Sequence, residues 1–282
     1  MIIFFEGGRL GNQLFQYSGL KKICLLDRIY IYGMDSLKNN FLGVDLIKSN
    51  FLFDYLMRRI GQKRLLFLSK KMRLIGFIEK IFTGEGIVYK RHSGLIKSLY
   101  FCPTFYFQSD DLIDHPTGSE LKIKPSILEN AQRIISRKPN NFSQSFFVHI
   151  RRGDYATFPS PSESAMLPKE WFFKQMDLVR ALFPRAFFFI VTDDVDYVKK
   201  EFQNESGIYI TCETEEVDFA IMGLCNGGIL SASSFAWWGA YFSRKNNPSG
   251  LYIAPKFWLG YQSKKWVPPH IKTAWIKYVD AP

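Results

Sequence analysis

The chain has 282 residues, 47% of them apolar, and 37 Lys and Arg stand against 26 Asp and Glu for a formal net charge of +11. That length and apolar fraction support one large or two modest packed domains and exclude a chain disordered in its main state. No apolar run approaches the ~20 residues a spanning helix requires, Met1 to Phe5 is cut at once by Glu6, and Cys24, Cys102, Cys212 and Cys225 lack CxxC spacing, so no signal peptide, membrane helix, zinc site or disulfide framework is expected and a reducing cytoplasm fits.

In chain order, Ile2 to Phe5 reads as a buried strand, followed by the turn Gly7-Gly8-Arg9-Leu10-Gly11-Asn12-Gln13, a helix carrying Leu14, Tyr17 and Leu20, and a second strand at Ile29 to Tyr32. A strand, Gly-rich turn and helix begin a Rossmann-like unit. Met57 to Phe82 holds Arg58, Arg59, Lys63, Arg64, Lys70, Lys71, Arg73 and Lys80 against Glu79 alone, interleaved with Leu65, Leu66, Phe67, Leu68, Leu74, Ile75 and Phe77. That is the composition of an amphipathic helix, either on an anionic membrane surface or simply covering its own domain. The polar stretch Ser119 to Gln144, with Pro125 and Pro139, is the expected linker, which divides the chain into 1–125 and 126–282.

From Phe146 on, strands and helices alternate. Strands are expected at Phe146–Ile150, Ala186–Thr192, Ile208–Cys212, Gly228–Ala232 and Leu251–Ala254, and helices at Pro168–Phe183, Val195–Phe202, Glu215–Cys225 and Ser234–Ser243. Such alternation predicts a parallel, doubly wound sheet, whose ligands bind beyond the carboxyl ends of its strands. The residues just past three of those ends are polar: Arg151-Arg152-Gly153-Asp154, Thr192-Asp193-Asp194 and Ser231-Ala232-Ser233-Ser234.

Each group has a chemistry and a duller duty. Two guanidiniums at a strand end can grip a pyrophosphate by paired hydrogen bonds, although strand alternation aims only one of them at it and leaves the other to Asp154; a solvated Arg-Arg-Asp turn would read the same. Asp194-Val195-Asp196 is an Asp-x-Asp of the kind that holds a metal on a diphosphate, but carboxylates also cap helices, and capping is the favoured reading where arginines already meet the phosphate. The serines and free amides before Phe235-Ala236-Trp237-Trp238-Gly239 suit a phosphate or a plain N-cap. The Gly7 to Gln13 turn is neither a dinucleotide fingerprint nor a P-loop.

Taken together, Gly8-Arg9-Leu10-Gly11-Asn12-Gln13-Leu14-Phe15-Gln16-Tyr17, His149-Ile150-Arg151-Arg152-Gly153-Asp154, Thr192-Asp193-Asp194 and Ser233-Ser234-Phe235-Ala236-Trp237-Trp238-Gly239 closely resemble the bacterial α1,2-fucosyltransferases of glycosyltransferase family 11. The resemblance implies a GT-B fold, α/β with two Rossmann-like domains facing a cleft, an acceptor-side domain at 1–125 and a GDP-sugar domain at 126–282. It implies an inverting, metal-independent transfer of L-fucose from GDP-fucose to the 2-hydroxyl of a galactose-terminated, possibly lipid-linked glycan in O-antigen or other surface polysaccharide synthesis. It places His149 near guanosine, Arg151 on the β-phosphate, Asp218 on guanine, Ser233 or Ser234 on the diphosphate and Asn12 toward the sugar, and counts Arg9, Gln13, Asp193 and Phe235 among donor-binding residues. No cofactor or metal is expected. The chain departs from the wider superfamily in one respect: Tyr155-Ala156-Thr157-Phe158-Pro159 holds no carboxylate where a general base is often found, leaving Asp154, or more weakly Glu163, for that role. A GDP-colitose transferase, a non-catalytic glycan-binding protein and a nucleic-acid-binding protein are the rival readings. The last would need basic and stacking residues along one groove, and no such module is recognised.

Overall fold

The computed structural model describes residues 1–23, 28–46, 51–83, 86–113 and 120–282; Cys24 and Ser119 lie outside them. Two compact units divide the chain, Met1–Lys122 and Ile123–Pro282. No described helix is long and apolar enough to cross a membrane, and Cys102, Cys212 and Cys225 form no disulfide among the described residues.

The first unit opens as expected, with β1 (Ile2–Phe5), α1 (Leu10–Ile23) and β2 (Ile29–Tyr32), then α2 (Asp35–Asn40), the two-residue strand β3 (Phe41–Leu42), α3 (Phe51–Leu66), β4 (Ile75–Thr83), β5 (Gly86–His92) and β6 (Ile96–Cys102); β7 (Lys122–Ile123) straddles the boundary. Its main sheet runs β2-β1-β6-β4-β5. All pairings are parallel except the hairpin β4–β5. This corrects the helix expected over Met57–Phe82, which stops at Leu66 and gives way to the π-helical turn Phe67–Lys71 and then to a strand. Gly61, at φ 70 and ψ 161, already breaks the helical path. Beyond it, the apolar β-branched residues Ile75 and Ile78 are buried at 3% and 2% exposure, where strand geometry suits them.

In the second unit, α4 (Pro125–Ile135) is followed by β8 (Gln144–Ile150), α5 (Lys169–Leu182), β9 (Ala186–Thr192), α6 (Val195–Glu201), β10 (Ile208–Ile210), α7 (Glu215–Leu224), β11 (Gly227–Ile229), α8 (Ser234–Asn246), β12 (Tyr252–Pro255) and β13 (Lys277–Val279). The expected linker therefore contains a helix of 11 residues. Pro125 sits at its first turn, where a missing N–H costs nothing, and Ile127, Ala131 and Ile134 bury one face.

The sheet order is β10-β9-β8-β11-β12-β13, with every pairing parallel. Counting strands from β8, that is 3-2-1-4-5-6, the dinucleotide-binding order. The fold class is thus the α/β, GT-B type expected, with a Rossmann-like sheet in each unit. Phe146, Phe188 and Ile190 pack with Trp171, Phe172 and Met176 of α5 into one core. The chain reverses its winding between β8 and β11, so the crevice for a ligand opens at their carboxyl ends.

Candidate functional site

At that switch point Ser231 clasps the two strands. Its backbone N–H and its hydroxyl both donate to the His149 carbonyl, at 3.1 and 2.8 Å, and the hydroxyl accepts from the Arg151 N–H at 3.1 Å. The Tyr155 hydroxyl donates to the Ala232 carbonyl at 2.5 Å. The segment following β8 is in this way pinned against the turn leading into α8. Ser231 and Tyr155 were not singled out from sequence, because their value depends on β8 and β11 being neighbours.

The arginines diverge as strand alternation requires, but with partners other than those expected. Arg151 itself, not Arg152, takes Asp154: its Nε donates at 3.0 Å, while Nη2 lies 2.7 Å from the same carboxylate oxygen and Nη1 3.2 Å from Asp193 as ion pairs. Arg152 donates through Nε to Asp194 at 3.0 Å and stacks on Tyr197, 3.3 Å from the ring centroid. The local geometry explains this exchange. Asp193 accepts the Arg152 backbone N–H at 2.8 Å, which brings its carboxylate back toward Arg151, and a side chain on Gly153 would strike it at 2.7 Å. Asp194 accepts from the Tyr197 N–H at 3.1 Å and so caps α6. The acidic cluster is committed to arginines and to a helix start.

The Arg151–Asp154 pair is weak enough to yield. Asp154 is 62% exposed, and exposed ion pairs contribute only about 0–1 kcal/mol, less than the roughly 1.5–3 kcal/mol of a hydrogen bond to a charged group. An arriving phosphate therefore outbids it.

A second cluster lies along α7 and α8. His149, only 4% exposed, has a buried Nδ1 with no hydrogen-bond partner among the described residues, and its ring is 5.8 Å from Phe235, which is 5.4 Å from Phe219. Burial, with the Arg151 charge adding to it, pushes its pKa down to about 3, so the imidazole is neutral. Asp218, next to Phe219 in α7, is 7% exposed with Oδ1 unpartnered. Burial pushes its pKa up to about 7 against the pull of a Thr211 hydrogen bond, with Glu213 and Glu216 adding to the rise. Buried polar atoms of this kind are completed by ordered water or by a ligand. Ser233 is the residue before α8 and Ser234 its first; neither side chain caps the helix. Trp237 and Trp238 are buried core, packed edge to face.

In the first unit, Gly8 at φ +80 turns the chain so tightly that a Cβ would meet Asn12 at 2.3 Å. Arg9 is exposed, and its side chain has no partner among the described residues. The Asn12 Oδ1 accepts from Gln108 at 2.8 Å. Gln13 is 4% exposed, donates to Glu6 at 2.8 Å and accepts from the Leu37 N–H at 3.1 Å, so its amide is used to hold the loop.

A crevice bordered by arginines at the switch point of a parallel sheet in the 3-2-1-4-5-6 order marks an α/β protein of the Rossmann-like class. More specifically, residues 89–278 match glycosyl transferase family 11, and the chain belongs to that family and is a glycosyltransferase. It is similar to the O-antigen biosynthesis glycosyltransferase WbnK of Escherichia coli, with 24% identity over 91% of this chain and 94% of that one. It is 32% identical to an Escherichia coli alpha-1,2-colitosyltransferase over 41% of each chain, and 24% identical to the mouse (Mus musculus) galactoside alpha-(1,2)-fucosyltransferase 2 over 84% of this chain and 66% of that one. Among solved structures, NodZ alpha-1,6-fucosyltransferase soaked with GDP-fucose shares the fold, with TM-score 0.50 and 10% identity over 84% of this chain and 91% of that one.

Proposed function

We propose that this glycosyltransferase moves L-fucose from GDP-fucose to the 2-hydroxyl of a galactoside during assembly of an O-antigen or another surface polysaccharide. The observation that carries the reading is Arg151, whose guanidinium is held at the carboxyl end of β8 beside Asp154 and Asp193. Breaking a sugar–diphosphate bond leaves charge on the β-phosphate, and a guanidinium fixed there favours the transition state over the ground state. The relatives named as α-(1,2)-fucosyltransferase and O-antigen glycosyltransferase support the same chemistry. Guanosine is assigned to His149, Phe235 and Asp218, because one carboxylate can accept from both the ring N–H and the exocyclic amine of guanine. The diphosphate is assigned to Arg151, Ser233 and Ser234, and Asp154 is the proposed proton acceptor for the incoming hydroxyl. The reaction is proposed to need no metal ion, since Asp193 and Asp194 are already engaged by Arg151, Arg152 and the start of α6.

GDP-colitose is a second reading, supported by the colitosyltransferase match. Mass spectrometry of a galactose-terminated glycan incubated with each donor in excess EDTA tests these assignments. The expected result is gain of one deoxyhexose from GDP-fucose. Transfer from GDP-colitose alone would make the second reading the right one, and loss of transfer in EDTA, restored by manganese or magnesium, would overturn metal independence.

We also propose that the chain docks on an anionic membrane surface. Leu56, Leu66, Phe67 and Met72 are 44%, 37%, 49% and 58% exposed among the exposed cations Arg58, Arg59, Lys63, Arg64, Lys70, Lys71 and Arg73, the pairing of features that holds a segment at a lipid interface.

A further inference from the structure

Beyond the arginine pair, the second unit holds a cavity of about 430 Å³, within the size range of small-molecule sites. One of its walls is Arg152. Asp194 holds its Nε and Tyr197 lies under its face, while its terminal N–H groups have no partner among the described residues. A guanidinium stacked and tethered in this way presents its donors with little further ordering cost. Tyr197 and Tyr261 supply aromatic walls, the Lys169–Glu201 ion pair a charged one, and Gln262 and Glu170 add exposed polar groups. The turn before Tyr261 depends on Gly260, whose φ of +120 excludes a side chain and where a Cβ would meet Ala165 at 3.0 Å. The pocket is therefore an open recess bordered by two closely approaching loops.

Its chemistry selects a ligand class. An anion is poorly served, because Arg152 and Lys169 already face Asp194 and Glu201 and Glu170 adds a further negative charge. An apolar ligand would strip water from these charges without replacing it. A neutral sugar meets both demands: its C–H faces pack on tyrosine rings, and its hydroxyls donate to carboxylates and accept from guanidinium, ammonium and amide groups.

We propose that this cavity is an acceptor subsite, taking a saccharide unit of the acceptor glycan next to the one that reacts, with Arg152 as the wall shared with the arginine pair. The inference rests on the glycosyl-transfer reading. It is tested by comparing KM for methyl β-galactoside and for a galactose-terminated tetrasaccharide in the wild type, Tyr261→Ala and Gln262→Ala, with GDP affinity measured separately by calorimetry. Wild type should show a tetrasaccharide KM at least ~5-fold lower, the worth of one or two net hydrogen bonds. Both variants should lose most of that advantage, while GDP affinity changes by less than about 2-fold, below what one net hydrogen bond contributes. Gln262 is exposed, so its variant reads the subsite even if Tyr261→Ala folds poorly. An equal KM for the two acceptors in wild type, or an advantage fully retained in Gln262→Ala, overturns the subsite. Absence of GDP binding to folded wild type is the separate result that overturns the GDP-sugar donor reading, independently of the subsite.

Discussion

Departure of a nucleoside diphosphate puts new charge on one phosphate oxygen, while the resting diphosphate can be held by several amides and hydroxyls. Arg151 should therefore act on kcat more than on binding. Arg151→Ala is expected to lower kcat by about 10²–10³-fold, as loss of one oxyanion-stabilising donor does. Arg151→Lys should recover little of it, since the charge stays but the fork is lost, and Arg152→Ala should cost less. Steady-state kinetics on the folded variants decide it; near-normal kcat in both Arg151→Ala and Arg152→Ala would remove the diphosphate from this strand end. The two buried titratable groups beside the arginine make a second residue-level prediction, with opposite signs. Asp218, raised to about 7, contributes stability that is complete below the unfolded value of roughly 3.9 and is lost as pH rises through 7. His149, lowered to about 3, contributes stability present above its unfolded value of roughly 6.5 and lost as pH falls below it. Between about pH 4 and 6.5 the two slopes, each near 1.4 kcal/mol per pH unit, largely cancel. Asp218→Asn should therefore unmask stability that falls on acidification, and His149→Gln stability that falls as pH rises. Denaturant titrations at pH 4.5, 5.5 and 6.5 read the slopes, and identical profiles for both variants would contradict the assignment.

At the scale of elements, the site exists because β8 and β11 touch. Phe147 of β8 pairs with Gly228 of β11, and a Cβ on Gly228 would lie 2.1 Å from the Phe147 ring. Gly228→Ala should destabilise the second unit by about 1–3 kcal/mol, the usual cost of overpacking, seen as a lower denaturation midpoint at unchanged m value; an unchanged midpoint would mean the ring moves freely and the junction is looser than described. Much of this was legible in the sequence. Runs such as Phe187-Phe188-Phe189 are short and apolar and sit between turns, so β9 and its neighbours could be placed, and polar residues past Ile150, Val191 and Leu230 located the crevice. Strand order was not legible, because it is a long-range property: nothing local says that β11 lies beside β8, and so Ser231 was read with its neighbours as a phosphate-side hydroxyl and not as the joint between the strands. The β4–β5 hairpin was missed for a related reason, since basic residues spaced among apolar ones fit a helix face as well as an edge strand. The partner of Asp154 was misassigned because side-chain pairing depends on where Asp193 sits, one strand away.

For the whole molecule, the excess of positive charge is partly gathered on the surface around α3 and the turn that follows it. Vesicles containing anionic lipid should retain the protein at low salt and release it at high salt, since exposed charges are screened over about 10 Å at 0.1 M; equal retention by neutral vesicles, or none by either, would refute the membrane proposal. The charge also suits a diphosphate donor, and the central claim is that this donor carries guanine. Calorimetric titration of wild type with GDP, UDP and ADP tests that claim most directly. Above pH 7, where Asp218 is ionised, the account predicts that GDP binds at least ~10-fold tighter than either, the worth of roughly 1.5–3 kcal/mol from hydrogen bonds to a charged carboxylate, and that Asp218→Asn removes most of the difference. Equal affinity for the three nucleotides, or binding to none by folded protein, would contradict it.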